Sequence, residues 1–555
     1  MRVLNGFRAQ TAAAALLASS GLSVFGVLPV RAQTPASAQV EVRRVSIDEA
    51  VALALENNLD LQVERINPQV QDLNIAQART GYTPTFQTNF GVNDQSLPPA
   101  NQLAGGFDSI DNTRTNVDFG VGALTRWGGN YNVSFNTVRN TTNNIFTNFN
   151  PQLNPNVTLS YTQPLLRNFR IDGTRQQLLV SQKNREIADV QLRQSIVVTS
   201  RNVRNAYYDL MFAIDNLNVQ RQSLELAERS LKDNRARVEI GTMAPIDIVQ
   251  AEAEVAQREE SVILAEAQIS RAEDRLRTLV LNPSTPDFWR VRIEPTDSAQ
   301  FRPVPVDTDL AVANALKNRT DLGTSRKQLE SNDVNIRFFR NQIQPDVNAS
   351  VSYFSQALGG TFLVRDGFGG PIVSESQTSY GRALRTMFGG DFPTWTFQLQ
   401  VSYPLGQATA EAQLARARLQ DQQSRRQLQS QELQVATQIR EFARQVQTNA
   451  KRVEATRAAR TLAERRLEAE EKKFQAGMTT SFLVFQAQRD LNQARNNELQ
   501  ALLDYDKAVV DFQTAQEAPL NATTGVTGVT GAFGAGGING QQPFGTQQQQ
   551  QQQQQ

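Results

Sequence analysis

The sequence contains one internal duplication, and this feature limits its possible folds more than any other. A shift of 261 residues aligns 48–84 with 309–345 and gives fourteen identities in 37 positions. Further along, a shift of 236 residues aligns Gly241 with Gly477. Because the period is far too long for an array of short repeats, we expect two copies of one unit that build a symmetric object.

Each half contains a run of nearly seventy residues without proline or glycine, at 174–240 and 408–476. As an α-helix, such a run extends about 100 Å at 1.5 Å per residue. No globular core needs a rod of this length, and a composition rich in Gln, Ala, Arg, Glu and Leu is typical of helices packed as in coiled coils. Each run is followed by a turn and a second helix, at 246–281 and 482–516. The sequence therefore predicts two long α-hairpins.

Each half begins with a shorter helical stretch, at 46–81 and 309–344, and we expect Pro68 to break or kink the first of them. Segments of alternating apolar and polar residues follow, as in β-strands with one apolar face. They lie at 86–93, 117–123, 131–137, 157–162, 347–353 and 395–403. A soluble β-sandwich alternates in the same way. With their flanking residues these segments are about nine to ten residues long, and this length, together with aromatic residues at the segment ends, favours strands that cross a bilayer.

The composition excludes much of common enzyme chemistry. The chain has no cysteine and no histidine, so disulfides, thiolate or histidine metal sites, an acylated cysteine anchor and a Ser-His-Asp triad are all ruled out. No carboxylate pair stands out as a catalytic site either. With 56 basic and 55 acidic residues, nothing suggests a nucleic-acid partner. We expect no enzyme activity, no bound metal and no cofactor.

The N-terminal residues predict export. Residues 1–32 carry Arg2 and Arg8, an apolar run and a small-x-small ending, which together are typical of a signal peptide. A buried or membrane-anchoring helix is the alternative for this run.

The remaining predicted boundaries are a first repeat at 33–282, a Pro-rich connecting strap at 283–306, a second repeat at 307–518 and a disordered Gly/Gln-rich tail at 519–555.

One copy of the chain carries too few strands to close a useful barrel, and its long helices have no core of their own. Several copies would pool their strands into one barrel without free edges and their helices into a hollow cylinder. The sequence therefore predicts an α+β membrane protein that forms a tunnel as an oligomer.

Four motifs carry a family resemblance. They are SIDEAVALALENNLDL from Ser46, LSYTQPLLRNF from Leu159, GTMAPIDIVQA from Gly241 and GMTTSFLVFQA from Gly477. Together they resemble the TolC-type outer-membrane efflux proteins in content and order, across residues 46–517.

The resemblance implies a homotrimer in the bacterial outer membrane, with a β-barrel continuous with a long periplasmic α-helical barrel that holds most of the mass. It also implies a periplasmic adaptor (membrane fusion protein) and an inner-membrane transporter as partners. The implied function is a passive outer-membrane channel of a tripartite efflux or type I secretion system. The sequence does not identify the substrate or the class of pump.

The extra alternating hairpin about Trp127-Gly128-Gly129 departs from the four strands per copy that the family implies. If this hairpin joins the barrel, a trimer has eighteen strands. If it folds elsewhere, a trimer has twelve.

The resemblance assigns roles at the two hairpin tips. Asp247 matches an acidic residue that lines the periplasmic aperture, whereas Thr479 replaces an expected arginine, and Leu483 and Gln486 replace expected acids. The expected adaptor-docking residues are Arg237, Gly241, Ala244, Pro245, Lys473, Gly477, Thr479 and Thr480. The alternative is that these residues only end one helix and begin the next.

Two other classes of function remain for comparison. A periplasmic coiled-coil structural or adhesive protein anchored in the outer membrane would explain the long helices but not the alternating strands. An outer-membrane enzyme would need Asp, Glu, Ser, Lys or Tyr chemistry, for which the sequence offers no arranged set of residues.

Overall fold

The computed structural model describes residues 42–98, 108–285, 288–297, 301–367, 369–403, 405–406 and 408–520. The predicted signal peptide lies outside these residues, as does the predicted tail apart from its first two residues. In chain order the elements are β1 (Val42–Val45), α1 (Ile47–Asn57), α2 (Leu59–Arg79), β2 (Thr85–Leu97), β3 (Ile110–Leu124), β4 (Asn130–Thr142), β5 (Phe149–Pro164), α3 (Gly173–Glu239), α4 (Ile246–Val280), β6 (Arg292–Pro295), α5 (Thr308–Asn318), α6 (Thr320–Gln342), β7 (Asp346–Gln356), β8 (Gly359–Arg365), β9 (Ile372–Thr378), α7 (Tyr380–Gly389), β10 (Pro393–Ser402), α8 (Ala408–Gln475) and α9 (Ser481–Ala515).

The two predicted α-hairpins are confirmed. The long helices α3 and α8 contain 67 and 68 residues, so each extends about 100 Å. α3 packs against α4, and α8 packs against α9. The two hairpins also touch each other, because α3 packs against α9, and α6 lies against both α3 and α8. None of the helices that the structure describes is long and apolar enough to cross a lipid bilayer.

Of the predicted break or kink at Pro68, the break is wrong. Pro68 lies inside α2, and the break falls at Asn58, whose side chain caps α2 by accepting a hydrogen bond from the Leu61 amide at 3.1 Å. The stretch at 309–344 breaks at the equivalent place, Arg319. This guanidinium is buried and binds Asp321 at 3.0 Å, so the interior of the fold, not the proline, sets the break.

Six of the described strands follow one another in one antiparallel order, β10-β7-β5-β4-β3-β2. The extra hairpin β3–β4 lies inside this order, between β2 and β5. Strands β2 and β10 are its two ends and therefore present the edges of the sheet. A second hairpin, β8–β9, adds to the first residues of β5, where Leu153 faces Gly359.

The sheet has one apolar and one polar face, as the alternation predicts. One row across the six strands consists of apolar and aromatic residues, namely Phe86, Val121, Val133, Leu159, Tyr353 and Trp395. A neighbouring row on the opposite face consists of Thr85, Gly122, Asn132, Ser160, Ser352 and Thr396. On the apolar face, Phe90 and Phe397 are 70% and 73% exposed within one chain. A β-sandwich would bury this face, so that alternative fails.

Each half has its own helical core centred on a buried tyrosine. The Tyr207 hydroxyl donates to the Asp297 carboxylate at 2.7 Å, and the Tyr505 hydroxyl donates to the Arg302 carbonyl at 2.9 Å. Burial, followed by the hydrogen bond to Asp297, raises the pKa of Tyr207 to about 12. The two tyrosines therefore tie the segment between the halves to α3 and α9.

Candidate functional site

The two helical turns at the hairpin tips contain every site residue that the sequence suggested. In the first turn, Gly241 has a φ of +77°, and its amide donates to the Val238 carbonyl at 2.9 Å. The amide of Thr242 donates to the Arg237 carbonyl at 2.9 Å. This pair of bonds is the Schellman arrangement, which satisfies the last carbonyls of a helix and requires a residue with positive φ.

The second turn repeats this geometry. Gly477 has a φ of +71°, its amide donates to the Phe474 carbonyl at 3.1 Å, and the amide of Met478 donates to the Lys473 carbonyl at 2.9 Å. Arg237 and Lys473 therefore hold the same position in the two turns. A Cβ at either glycine would meet no described atom within 4 Å beyond the adjacent residues, so the positive φ accounts for the glycines.

The next helices begin differently. Pro245 precedes α4, its fixed φ suits a helix start, and Asp247 lies in the first turn of α4, where the helix dipole favours a negative charge. Thr480 precedes α9 without capping it through its side chain, and the first turn of α9 has no acidic residue. Ala244, Pro245 and Thr480 are exposed.

The structure brings the two tips together through residues from both halves. The Ser481 hydroxyl donates to the Asp247 carboxylate at 3.0 Å, and Ser481 is buried. The Arg237 guanidinium lies over the Phe474 ring, 4.5 Å from its centroid. Sequence reasoning missed Ser481 and Phe474, because neither has a sequence signal that separates it from an ordinary helix residue.

The charged residues around the tips mostly have partners. The Lys473 ammonium binds Glu470 at 2.8 Å, and this hydrogen bond lowers the pKa of the Glu470 carboxyl. Burial raises the pKa of Glu471. With Arg237 on Phe474 and Lys473 on Glu470, both cationic side chains contact their own chain in this conformation.

Large apolar side chains surround the turns and are exposed. Ile240 and Met478 are 73% and 77% exposed, and they lie beside the two glycines. Ile246, Val249 and Phe482 are exposed at the starts of α4 and α9. The tip surface is therefore apolar with an acidic group, Asp247, between the two hairpins. Such a surface suits contact with another protein and has no arranged acid, base and nucleophile.

Comparisons with known proteins agree with this fold. The model of the family "Outer membrane efflux protein" matches residues 128–280 and 311–515, which together make up more than half of the chain. No curated protein matches the sequence.

Solved structures share the fold at low sequence identity. CusC is similar over 85% of this chain and 92% of its own, with a TM-score of 0.62 and 12% identity. The outer membrane protein VceC from Vibrio cholerae is similar over 85% and 96%, with a TM-score of 0.59 and 16% identity. The CmeC outer membrane channel from Campylobacter jejuni is similar over 85% and 85%, with a TM-score of 0.59 and 15% identity. The chain therefore belongs to the outer membrane efflux protein family and is a channel protein, not an enzyme.

Proposed function

We propose that three copies of this chain form a passive export channel that crosses the outer membrane and extends into the periplasm. The observation that carries the proposal is the six-strand order with an exposed apolar face, a polar opposite face and free edges at β2 and β10. Unpaired strand edges cannot face lipid, so the sheet must close on itself, and further copies supply the missing strands. The apolar face then contacts lipid and the polar face lines the pore.

Six strands from each copy give eighteen strands in the trimer. The insertion of β3–β4 between β2 and β5 supports this number over twelve. The helices α3 and α8 follow strands β5 and β10 along the chain, so the helices of three copies continue the wall as a hollow cylinder. The hairpin tips then lie at the end of the cylinder that is farthest from the membrane.

The tips form the entrance and the docking surface for a periplasmic adaptor, with an inner-membrane transporter as the source of energy. The exposed apolar residues around Gly241 and Gly477 support the docking role, because apolar patches on a channel mouth favour protein contacts. The channel would then serve a tripartite efflux or type I secretion system. Asp247 is the proposed acidic group of the aperture.

The test is the mass and conductance of the purified full chain. Light scattering in detergent should give a trimer, and the trimer should conduct ions across a planar bilayer. A monodisperse monomer would contradict the tunnel. A trimer that does not conduct, even when the tips are loosened by substitution of Asp247, would favour the coiled-coil structural alternative.

A further inference from the structure

The short helix α7 lies on the apolar face of the sheet. Ser379 caps its start, and Gly390, with a φ of +71°, ends it. Ala383 and Met387 are each 1% exposed and form a small core with Leu384, Phe135 and Val157. The Ser355 hydroxyl also donates to the Met387 carbonyl at 2.7 Å. α7 is thus a fixed part of the fold, seated on the face that we propose contacts lipid.

The other side of α7 is cationic and apolar. Arg382 and Arg385 are exposed, and neither side chain has an ion pair or hydrogen bond with the described residues. They are three residues apart and therefore neighbours on the helix surface. Phe388 is 71% exposed at the flank of the helix, and Phe392 and Trp395 are exposed just after it.

The position of α7 along the strands matches the outer edge of an apolar membrane band. Its contact residue Ser355 lies nine residues beyond Asp346, where β7 leaves α6. At about 3.3 Å per residue and a tilt of about 45°, this is roughly 20 Å along a barrel axis. The apolar band of an outer-membrane barrel is about 25 Å tall. Ser355 contacts the last turn of α7 and therefore lies just inside the outer edge of this band. The first turn of α7 follows Thr378, which pairs with Gly360 beyond the end of β7. We therefore place the two arginines at the level of lipid head groups.

We propose that α7 binds a phosphate-bearing head group of net negative charge, on an outer-leaflet lipid, through Arg382 and Arg385, with Phe388, Phe392 and Trp395 against its acyl chains. The inference rests on the proposed function, because it needs the apolar sheet face to contact lipid. Two guanidinium groups on one helix face match a phosphate in charge and geometry. The exposed aromatic residues continue the apolar face, as the interfacial aromatic residues of barrels do.

Another copy of the chain is a poorer occupant for this surface. Copies would join through the edge strands β2 and β10, whereas α7 contacts β5, β7 and β8. The surface therefore remains on the outside of a closed barrel. Lipid surrounds the outside of a membrane barrel, so lipid is the partner that we expect at this surface.

Native mass spectrometry of the purified full-length protein tests the proposal. The probes are phosphatidylglycerol and phosphatidylcholine with identical acyl chains. The wild type should retain phosphatidylglycerol more strongly. Arg382→Gln with Arg385→Gln should weaken phosphatidylglycerol binding by roughly thirtyfold, from the usual contribution of two basic residues near an anionic lipid. Binding of phosphatidylcholine should change little, because its choline group offsets the charge of its phosphate.

The matched control is Arg271→Gln with Arg465→Gln, which removes the same charge from exposed positions on α4 and α8. It should keep the preference of the wild type. The proposal would be overturned if the α7 variant kept the wild-type preference for phosphatidylglycerol. Displacement of phosphatidylglycerol by inorganic phosphate alone would also overturn it. Conductance of the same samples separates the two hypotheses: lipid selectivity through the arginines without conductance would contradict the channel and support the lipid site.

Discussion

The two halves of the chain are most alike in their helical turns and least alike in their sheet. Gly241 and Gly477 end the two long helices with the same backbone conformation and the same pair of hydrogen bonds. The first half, however, supplies four strands to the six-strand order and the second half two. A turn that ends a helix in this way requires a residue with positive φ, so its sequence is restricted. A sheet accepts an additional antiparallel hairpin, because two strands leave the direction of their neighbours unchanged.

The two turns share a backbone conformation but differ in their side chains. The offset of 236 residues that aligns Gly241 with Gly477 also aligns Pro245 with Ser481 and Asp247 with Leu483. The acidic residue of the first turn binds the serine of the second turn, which lies where the first turn has its proline. The two tips are therefore joined by residues in which the two copies differ.

Removal of the additional hairpin should have the largest effect. Without residues 110–148, β2 and β5 remain antiparallel and can pair directly. A trimer would then have twelve strands, and because barrel diameter grows almost linearly with strand number, the diameter should fall by about a third. Electron cryomicroscopy of the variant measures this. Removal of residues 522–555 is the control, which should leave the trimer and its conductance intact; an unchanged diameter in the hairpin variant would place β3–β4 outside the closed wall.

The sequence predicted the helices and strands themselves better than it predicted which of them pair or pack together. The predicted ends of the long helices, Ile240 and Ala476, lie one residue beyond the observed ends, because a glycine stops each helix locally. Alternation revealed which residues share a face but not that β3–β4 lies between β2 and β5. The break at Asn58 has a local cap but also tertiary contacts, since the side-chain amides of Asn57 and Asn58 donate to the distant carbonyls of Val280 at 3.3 Å and Leu279 at 3.5 Å. Long-range partners of this kind leave no local pattern.

The two turn glycines should be equally sensitive to substitution. Gly241→Ala and Gly477→Ala each place a Cβ at positive φ in open space, so the cost is backbone strain of between about 1 and 2 kcal/mol. Thermal unfolding in detergent measures the loss. Gly173→Ala is the control, because Gly173 begins α3 without positive φ and has open space around it; this change should be neutral or stabilising. Sensitivity at only one turn would contradict their equivalence.

Asp506 should make the second half sensitive to pH. Burial raises its pKa to about 6, whereas the offset of 236 places the neutral Ser270 at the matching position of the first half. The folded state then binds more protons than the unfolded state between about pH 4 and 6, so stability rises as pH falls through this window. Asp506→Asn should stabilise the protein at pH 7 by on the order of 1 kcal/mol, after allowance for solvent screening. The gain should vanish below about pH 4. Thermal unfolding from acidic to neutral pH checks this, and a gain that persists at low pH would rule out titration of Asp506 as its cause.

The smallest expected effect is the coupling between the two tips. The Ser481–Asp247 hydrogen bond joins the halves, but Asp247 is only half-buried, so a double-mutant cycle with Asp247→Ala and Ser481→Ala should give a coupling of about 0.5 kcal/mol. Three copies of Asp247 around the proposed aperture should also focus a negative potential on passing ions. Asp247→Asn should therefore reduce the cation preference of the channel, measured as the reversal potential across a planar bilayer under a salt gradient. Glu252→Gln is the charge-matched control, because Glu252 is bound to Arg235 at 2.7 Å on the same hairpin, and it should leave the reversal potential near that of the wild type. If Asp247→Asn leaves the reversal potential unchanged, the narrowest charged ring lies elsewhere and Asp247 serves only to bind Ser481.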